Sequence, residues 1–312
     1  MKKNKLTVAL CALAMTALTA TAQDAKNADI FPLGHYDELT DTKPHDSDAA
    51  WAKLAQPTSL SWASIDTRYR RLDIPQVKTQ YAVSLKAWRG ERVNAQALLW
   101  TNVDLDDVQI TVSDLRSSNA VIPSSALRTN FVRYVMTDEL NKDGSGCGYR
   151  NPADWDSSVV ADVLDINKTL PVRRNTTQPI WTNVWVPQNA TPGNYTGQIT
   201  VSGKNMKPQT LQLKLQVINR TLPSPQQWAT NLDLWQNPYS VARYYKVPLW
   251  SKAHFDAMRP IMKMLADAGQ YSITTSIMHK PWNGQTEDHY DSMVTRIKHI
   301  DGSWTFDYAV FD

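Results

Sequence analysis

The sequence predicts a mostly β protein: a β-sandwich over residues 62–221, followed by a strand–helix–strand unit of parallel sheet. Three observations carry that reading. Leu211, Leu213, Leu215 and Val217 alternate with Gln212, Lys214 and Gln216, the pattern of a half-buried strand. Several shorter alternations precede it, separated by Pro, Gly, Asn and Asp, which is sandwich spacing. After Pro223 and Pro225 the apolar period lengthens to 3–4 residues.

The chain opens with a targeting segment, residues 1–22. Lys2, Lys3 and Lys5 form a basic region, Leu6 to Thr19 an apolar run, and Ala20-Thr21-Ala22 a small-residue cleavage site before Gln23. The run is too short to span a bilayer, and Leu10 before Cys11 argues against lipidation. The expectation is a soluble, exported protein, periplasmic or extracellular. Cleavage also removes the apparent basicity. The 33 Lys and Arg against 30 Asp and Glu become 30 against 30 once the three signal lysines are gone. No electrostatic argument for nucleic acid remains. Only Cys147 then survives, so no intramolecular disulfide can form and clustered zinc sites are excluded. No cofactor and no metal is expected.

Residues 23–61 read as a leader and a short helix. Up to about residue 46 the chain is polar without periodicity, with Asp37-Glu38 as a solvated pair; Ser47 then caps a helix carrying Trp51 and Leu54 that ends at Pro57. Within the sandwich, Val83–Ala87, Val93–Leu99, Val108–Val112 and Phe131–Val135 alternate. Thr137 to Arg174 reads as an irregular insert. Ile180, Thr182, Val184 and Val186 then share one strand face, Pro187 stops the ladder, and Pro192-Gly193 is expected to turn the chain into Tyr195, Gly197, Ile199 and Val201.

In the last segment, residues 226–312, Leu232 and Leu234 suggest a buried strand ending at Gln236-Asn237-Pro238. Ser251 caps a helix with Phe255, Met258, Ile261, Met262, Leu265 and Ala268 on one face, and Gly269 follows its end. Pro260 should kink that helix, a second strand should run from Tyr271 to Met278, and Asp301-Gly302 should turn a hairpin.

The order of an aromatic strand, Val186-Pro187 and Ala190-x-Pro192-Gly193-x-Tyr195-x-Gly197 resembles the sandwich of exported bacterial glycosidases, most closely glycoside hydrolase family 123. Trp62-Ala63-Ser64-Ile65-Asp66-Thr67-Arg68-Tyr69 and Leu234-Trp235-Gln236-Asn237-Pro238-Tyr239 are similar to that family too, and Ser158–Leu164 resembles its Pro-Asp-x-Leu element with Ala161 in place of Pro. The resemblance implies a retaining β-N-acetylgalactosaminidase in which the sandwich precedes a (β/α)8 barrel. Residues 226–312 would then be the first βα units of an incomplete barrel, since a whole one needs about 250 residues.

The resemblance further implies an adjacent Asp and Glu on a later barrel strand. The Glu would act as acid/base and the Asp would orient the substrate's acetamido group, whose carbonyl attacks the anomeric carbon. Asp37-Glu38, Asp138-Glu139 and Glu287-Asp288 all read as loop pairs, which places the catalytic pair beyond Asp312 and none within the chain. Substrate contacts are expected at the C-terminal ends of the first two barrel strands: Trp235 and Asn237, then His279 and Trp282. Each tryptophan either stacks on a sugar or fills a core. The partner implied is an N-acetylhexosamine-containing glycan. The alternative is a non-catalytic exported sandwich that binds glycans or a protein.

Overall fold

The computed structural model describes residues 38–137, 158–275 and 292–312. The expected targeting segment at residues 1–22, Asp138-Glu139, Cys147, His279, Trp282 and Glu287-Asp288 lie outside the described residues. The chain divides into two compact units between Leu222 and Pro223.

The first unit begins with helix α1 (Asp48–Trp51) and strands β1 (Thr58–Ala63), β2 (Ala82–Arg89), β3 (Arg92–Thr101), β4 (Leu105–Val112), β5 (Leu115–Arg116) and β6 (Val121–Ile122). It continues through β7 (Leu127–Thr137), β8 (Ser158–Leu164), β9 (Thr169–Val172), β10 (Thr176–Trp185), β11 (Gly193–Lys204) and β12 (Gln209–Thr221). One sheet has the order β1-β3-β10-β7-β8; the other runs β2-β12-β11-β4-β9, with β5 paired to β11 and β6 to β5. The sheets pack face to face. Their shared core takes Trp62, Leu99, Phe131, Ile180 and Val184 from one side and Val108, Tyr195, Ile199, Leu211, Leu213 and Leu215 from the other. Every position on the Leu211–Val217 alternation points as the sequence predicts.

The Pro-Gly-x-Tyr-x-Gly segment is not a hairpin. β10 lies in the five-stranded sheet and β11 in the other, so the connection carries the chain across the sandwich. The tight turn sits earlier, at Pro187–Ala190, where Ala190 N–H donates to the Pro187 carbonyl. Tyr195, fully buried, donates its hydroxyl back to the Thr191 carbonyl at 2.6 Å, and so fixes the angle at which β11 enters its sheet. Gly197 is required by proximity: a Cβ there would lie 2.5 Å from Leu115 Cδ2 and 2.7 Å from the Asp114 carbonyl oxygen. Gly197→Ala should therefore cost about 1–3 kcal/mol of stability, because backbone must move. An unchanged urea midpoint would show that β5 lifts off freely.

Three further expectations are corrected. The leader is not free up to residue 46. Glu38 bonds Arg71 and Arg133, Asp41 bonds Arg70, and Asp46 accepts the Ile74 N–H, which pins residues 38–46 to the sheet's outer face. Of the pair Asp37-Glu38, Asp37 lies outside the described residues and Glu38 is not solvated but recruited by two guanidiniums. The supposed irregular insert holds β8 and β9, and β8 pairs with β7 in antiparallel register. The sandwich itself starts at Thr58, four residues before the expected boundary.

Within the second unit, helix α2 (Pro238–Tyr245) was not foreseen, helix α3 (Lys252–Asp267) is capped by Ser251 as predicted, and β13 (Thr295–Lys298) pairs with β14 (Trp304–Asp307) as the predicted hairpin. Pro260 lies inside α3, which continues through it without interruption. Gly269 adopts φ +97°, and the Gly269 and Gln270 N–H groups close onto the Ala266 and Leu265 carbonyls to end the helix. The apolar face is shifted from the predicted one: His254 and Met258 are buried, whereas Phe255 is half exposed. Neither Leu232–Leu234 nor Tyr271–Thr275 forms a strand. Leu234, Tyr271 and Ile273 are exposed. The described residues thus form no parallel ladder of a (β/α)8 barrel. The alternation supplies apolar side chains, but a strand also needs a partner backbone, and here a side chain takes that place.

Candidate functional site

That side chain is Gln270. Its amide accepts from Leu234 N–H at 3.0 Å and donates to the Leu234 carbonyl at 3.1 Å and the Ser272 carbonyl at 2.7 Å. Gln270 thereby holds residues 233–235 beside residues 270–274 by amide bonds in place of a sheet ladder. Asp233 extends the link, accepting from Thr274 Oγ1 at 3.1 Å and Ser272 Oγ at 3.4 Å. Its other oxygen faces the Trp235 indole N–H at 3.4 Å. The Trp235 ring is consequently oriented by a carboxylate while 52% of the residue stays exposed. An exposed indole beside a carboxylate and two hydroxyls can stack on one face of a sugar and bond its rim.

Asn237 is used differently from the sequence expectation. Its side chain caps α2 by accepting from Ser240 N–H at 3.2 Å, and Pro238 follows at the first helical position. The Asn237 side-chain oxygen therefore already serves a backbone amide. Gln236 lies between, its amide nitrogen donating to the Leu234 carbonyl and its oxygen buried without a partner.

His254 fixes where this corner sits. Trp250 N–H donates to Nδ1 at 3.0 Å, so Nε2 carries the proton and donates to the Pro238 carbonyl at 2.8 Å. The fully buried ring thus ties the first turn of α3 to the start of α2. Trp250 packs against it, with centroids 5.3 Å apart, and meets Tyr239 edge-on at 5.7 Å. Burial, followed by the neighbouring Tyr244, raises the Tyr245 hydroxyl above its ordinary value.

Of the four predicted contact residues, Trp235 and Asn237 are adjacent at the head of α2, and His279 and Trp282 lie outside the described residues. Sequence reading missed Asp233, His254 and Gln270. The spacing of His254 and Met258, four apart after the Ser251 cap, is the one signal that could have placed the histidine on the inner face. Among the described residues, no group of three His, Cys, Asp or Glu could hold a metal ion, and no helix is long and apolar enough to cross a membrane.

Residues 62–203 match the Glycoside hydrolase 123 N-terminal domain, and residues 235–312 match the Glycoside hydrolase 123 catalytic domain. A solved family 123 glycoside hydrolase from Clostridium perfringens, studied for glycolipid glycan hydrolysis, is similar with a TM-score of 0.71 at 25% identity. That similarity covers 82% of this chain and 44% of the clostridial one, so the chain spans less than half the length of that relative. A PapD-like domain of human CEP192 has 9% identity over 59% of this chain and 96% of its own, and its TM-score of 0.28 carries no argument. No match is found among curated proteins. With two domains of one family matched in order, the second starting at Trp235, the chain belongs to glycoside hydrolase family 123.

Proposed function

We propose that this chain is the sandwich and the leading catalytic-domain segment of an exported hydrolase of N-acetylhexosamine glycans, of β-N-acetylgalactosaminide type, acting with retention through the substrate's acetamido group. The observation that carries the reading is the catalytic-domain match from residue 235 onward, beginning at an indole held half exposed by Asp233. In the proposed reaction the acetamido oxygen bonds to the anomeric carbon as the glycosidic bond breaks. A carboxylic acid gives its proton to the departing oxygen, and water then opens the bicyclic intermediate. Trp235 would stack on the sugar. Asn237, His279 and Trp282 remain the other proposed contacts.

The acid/base pair is proposed to come from sequence other than these 312 residues. Glu38 is bonded to Arg71 and Arg133 at the outer face of the sandwich, so both of its oxygens are already engaged by guanidiniums. Residues 23–312 alone should accordingly leave aryl β-N-acetylgalactosaminide unhydrolysed, because general acid catalysis alone contributes about 10²–10⁴-fold. The complete gene product, whatever its length, should cleave that substrate, spare the aryl β-galactoside and be inhibited by the thiazoline of N-acetylgalactosamine. Equal rates on the two glycosides would overturn the acetamido mechanism. Turnover by residues 23–312 would place the catalytic pair within them.

A further inference from the structure

The outward face of the β2-β12-β11 sheet carries an open groove of about 470 Å³, remote in sequence from the catalytic-domain segment. Its walls are Thr196 and Gln198 of β11, Thr210 and Gln212 of β12, Asp114 just before β5, Arg116 in it, and Tyr81 just before β2.

Three features separate it from an ordinary polar sheet face. Gln198 and Gln212 stand directly opposite each other across β11 and β12, yet among the described residues neither side-chain amide has a hydrogen-bond partner. Tyr81, 66% exposed, presents its ring where Gln212 N–H bonds the Tyr81 carbonyl. The only charges cancel: Arg116 bonds Asp114 Oδ2 at 2.7 Å, and the Ser124 N–H occupies Asp114 Oδ1 at 2.9 Å. Phosphate, sulfate and nucleic acid need net positive charge, which the groove lacks. The Thr210 hydroxyl is shared with Thr200 at 3.1 Å, so what remains for a ligand is two amides, the Thr196 hydroxyl and one aromatic face, which fit a neutral, polyhydroxylated ring with a polar edge and an apolar face.

We infer that this groove is a second carbohydrate-binding site, for a neutral oligosaccharide, on the sandwich. It stands independently of the hydrolase reading.

The test is a titration of the full chain with the neutral disaccharide N-acetylgalactosaminyl-β-1,4-galactose, followed by saturation-transfer NMR. Saturation is expected at about millimolar ligand. Tyr81→Ala and Gln212→Ala should each weaken binding about tenfold, since each removes a stacking face or a bidentate amide at an open site. Both residues are exposed, so unchanged melting temperatures should accompany the loss. Binding that survives both groove variants, binding that Trp235→Ala alone abolishes, or no transfer at all would overturn the inference. So would a preference for a sialylated analogue, because that ligand is charged. The second of these outcomes sinks the groove while supporting a sugar site at Trp235, so the two readings fail separately.

Discussion

Arg133→Ala should destabilise the sandwich by about 3 kcal/mol and flatten its acid sensitivity. The guanidinium sits at the centre of a chain of charges, with Nε 2.7 Å from Glu38 and Nη1 2.7 Å from Asp165. Side chains of all three are about nine-tenths buried. Backbone groups complete the network: Tyr134 N–H donates to Glu38 at 3.1 Å and Asn167 N–H to Asp165 at 2.9 Å. Burial alone would lower the Arg133 pKa, but its bonds to Glu38 and Asp165 outweigh that and raise it. Burial likewise pushes Asp165 up, yet the Asn167 N–H and Arg133 outweigh it and hold the carboxyl below its ordinary 3.8.

Removing the arginine leaves buried Asp165 without its cationic partner, while Glu38 keeps Arg71; breaking a buried pair costs about 3–5 kcal/mol in comparable sites. The residual exposure places this one at the lower end. The sign with pH follows from Asp165. Its folded value lies below the unfolded one, so its contribution is complete above about pH 4 and lost as pH falls through the folded value. Wild type should lose stability across that window, and Arg133→Ala should lose less. Urea midpoints at pH 7 and pH 3 check both parts. Arg116→Ala, an exposed pair, should shift the midpoint by under about 0.5 kcal/mol. Equal losses for the two variants would mean that the network contributes nothing beyond surface pairing.

Trp62→Ala should cost about 3–5 kcal/mol, the range for emptying a buried aromatic site. Trp62 is 1% exposed on β1, an edge strand of the five-stranded sheet, yet its indole N–H reaches the Gln212 carbonyl of β12 at 2.9 Å. It is therefore a packing residue and a hydrogen-bonded tie between the sheets. Trp62→Phe separates the two roles: it keeps most of the ring and drops the bond, which should cost about 1 kcal/mol from the lost bond. Equilibrium denaturation of both variants reads the difference. A Phe variant as damaged as the Ala variant would assign the whole effect to the hydrogen bond.

The local half of the fold was legible because strands and caps obey short-range rules. Period-two alternation placed β2, β3, β4, β7, β10, β11 and β12, and Ser47 and Ser251 announced their helices. The family, too, was readable from Val-Pro and Pro-Gly-x-Tyr-x-Gly, matched since by both of its domains. Legibility ended where a residue's role depends on partners far along the chain. β3 shows this well: its predicted face, Ala95, Ala97 and Leu99, is buried, but so are Leu98 and Trp100, beneath Trp51, Tyr69 and Ile74. Alternation registers one buried face, and only the covering segment creates the second.

Pro179 makes the same point inside β10, a central strand where a residue without a donor should be excluded. The β7 pairing begins just past it at Ile180, and the Gln178 amide donates instead to the Val132 and Pro179 carbonyls. At the candidate site the sequence marked Trp235 by its neighbours in the motif. Its orientation by Asp233, the diversion of Asn237 into a helix cap and the clamp through His254 were decided by contacts 2 to 41 residues apart. By itself, then, the amino-acid sequence determined the seven strands of the sandwich with a clean alternation, the helix starts capped by Ser47 and Ser251 and which family the chain joins, because those follow from side-chain period, local hydrogen bonding and short motifs. Only the tertiary structure decided which sheet each strand enters, which charges are buried together and which polar groups stay free to meet a ligand, because each depends on the partner that long-range packing brings within reach.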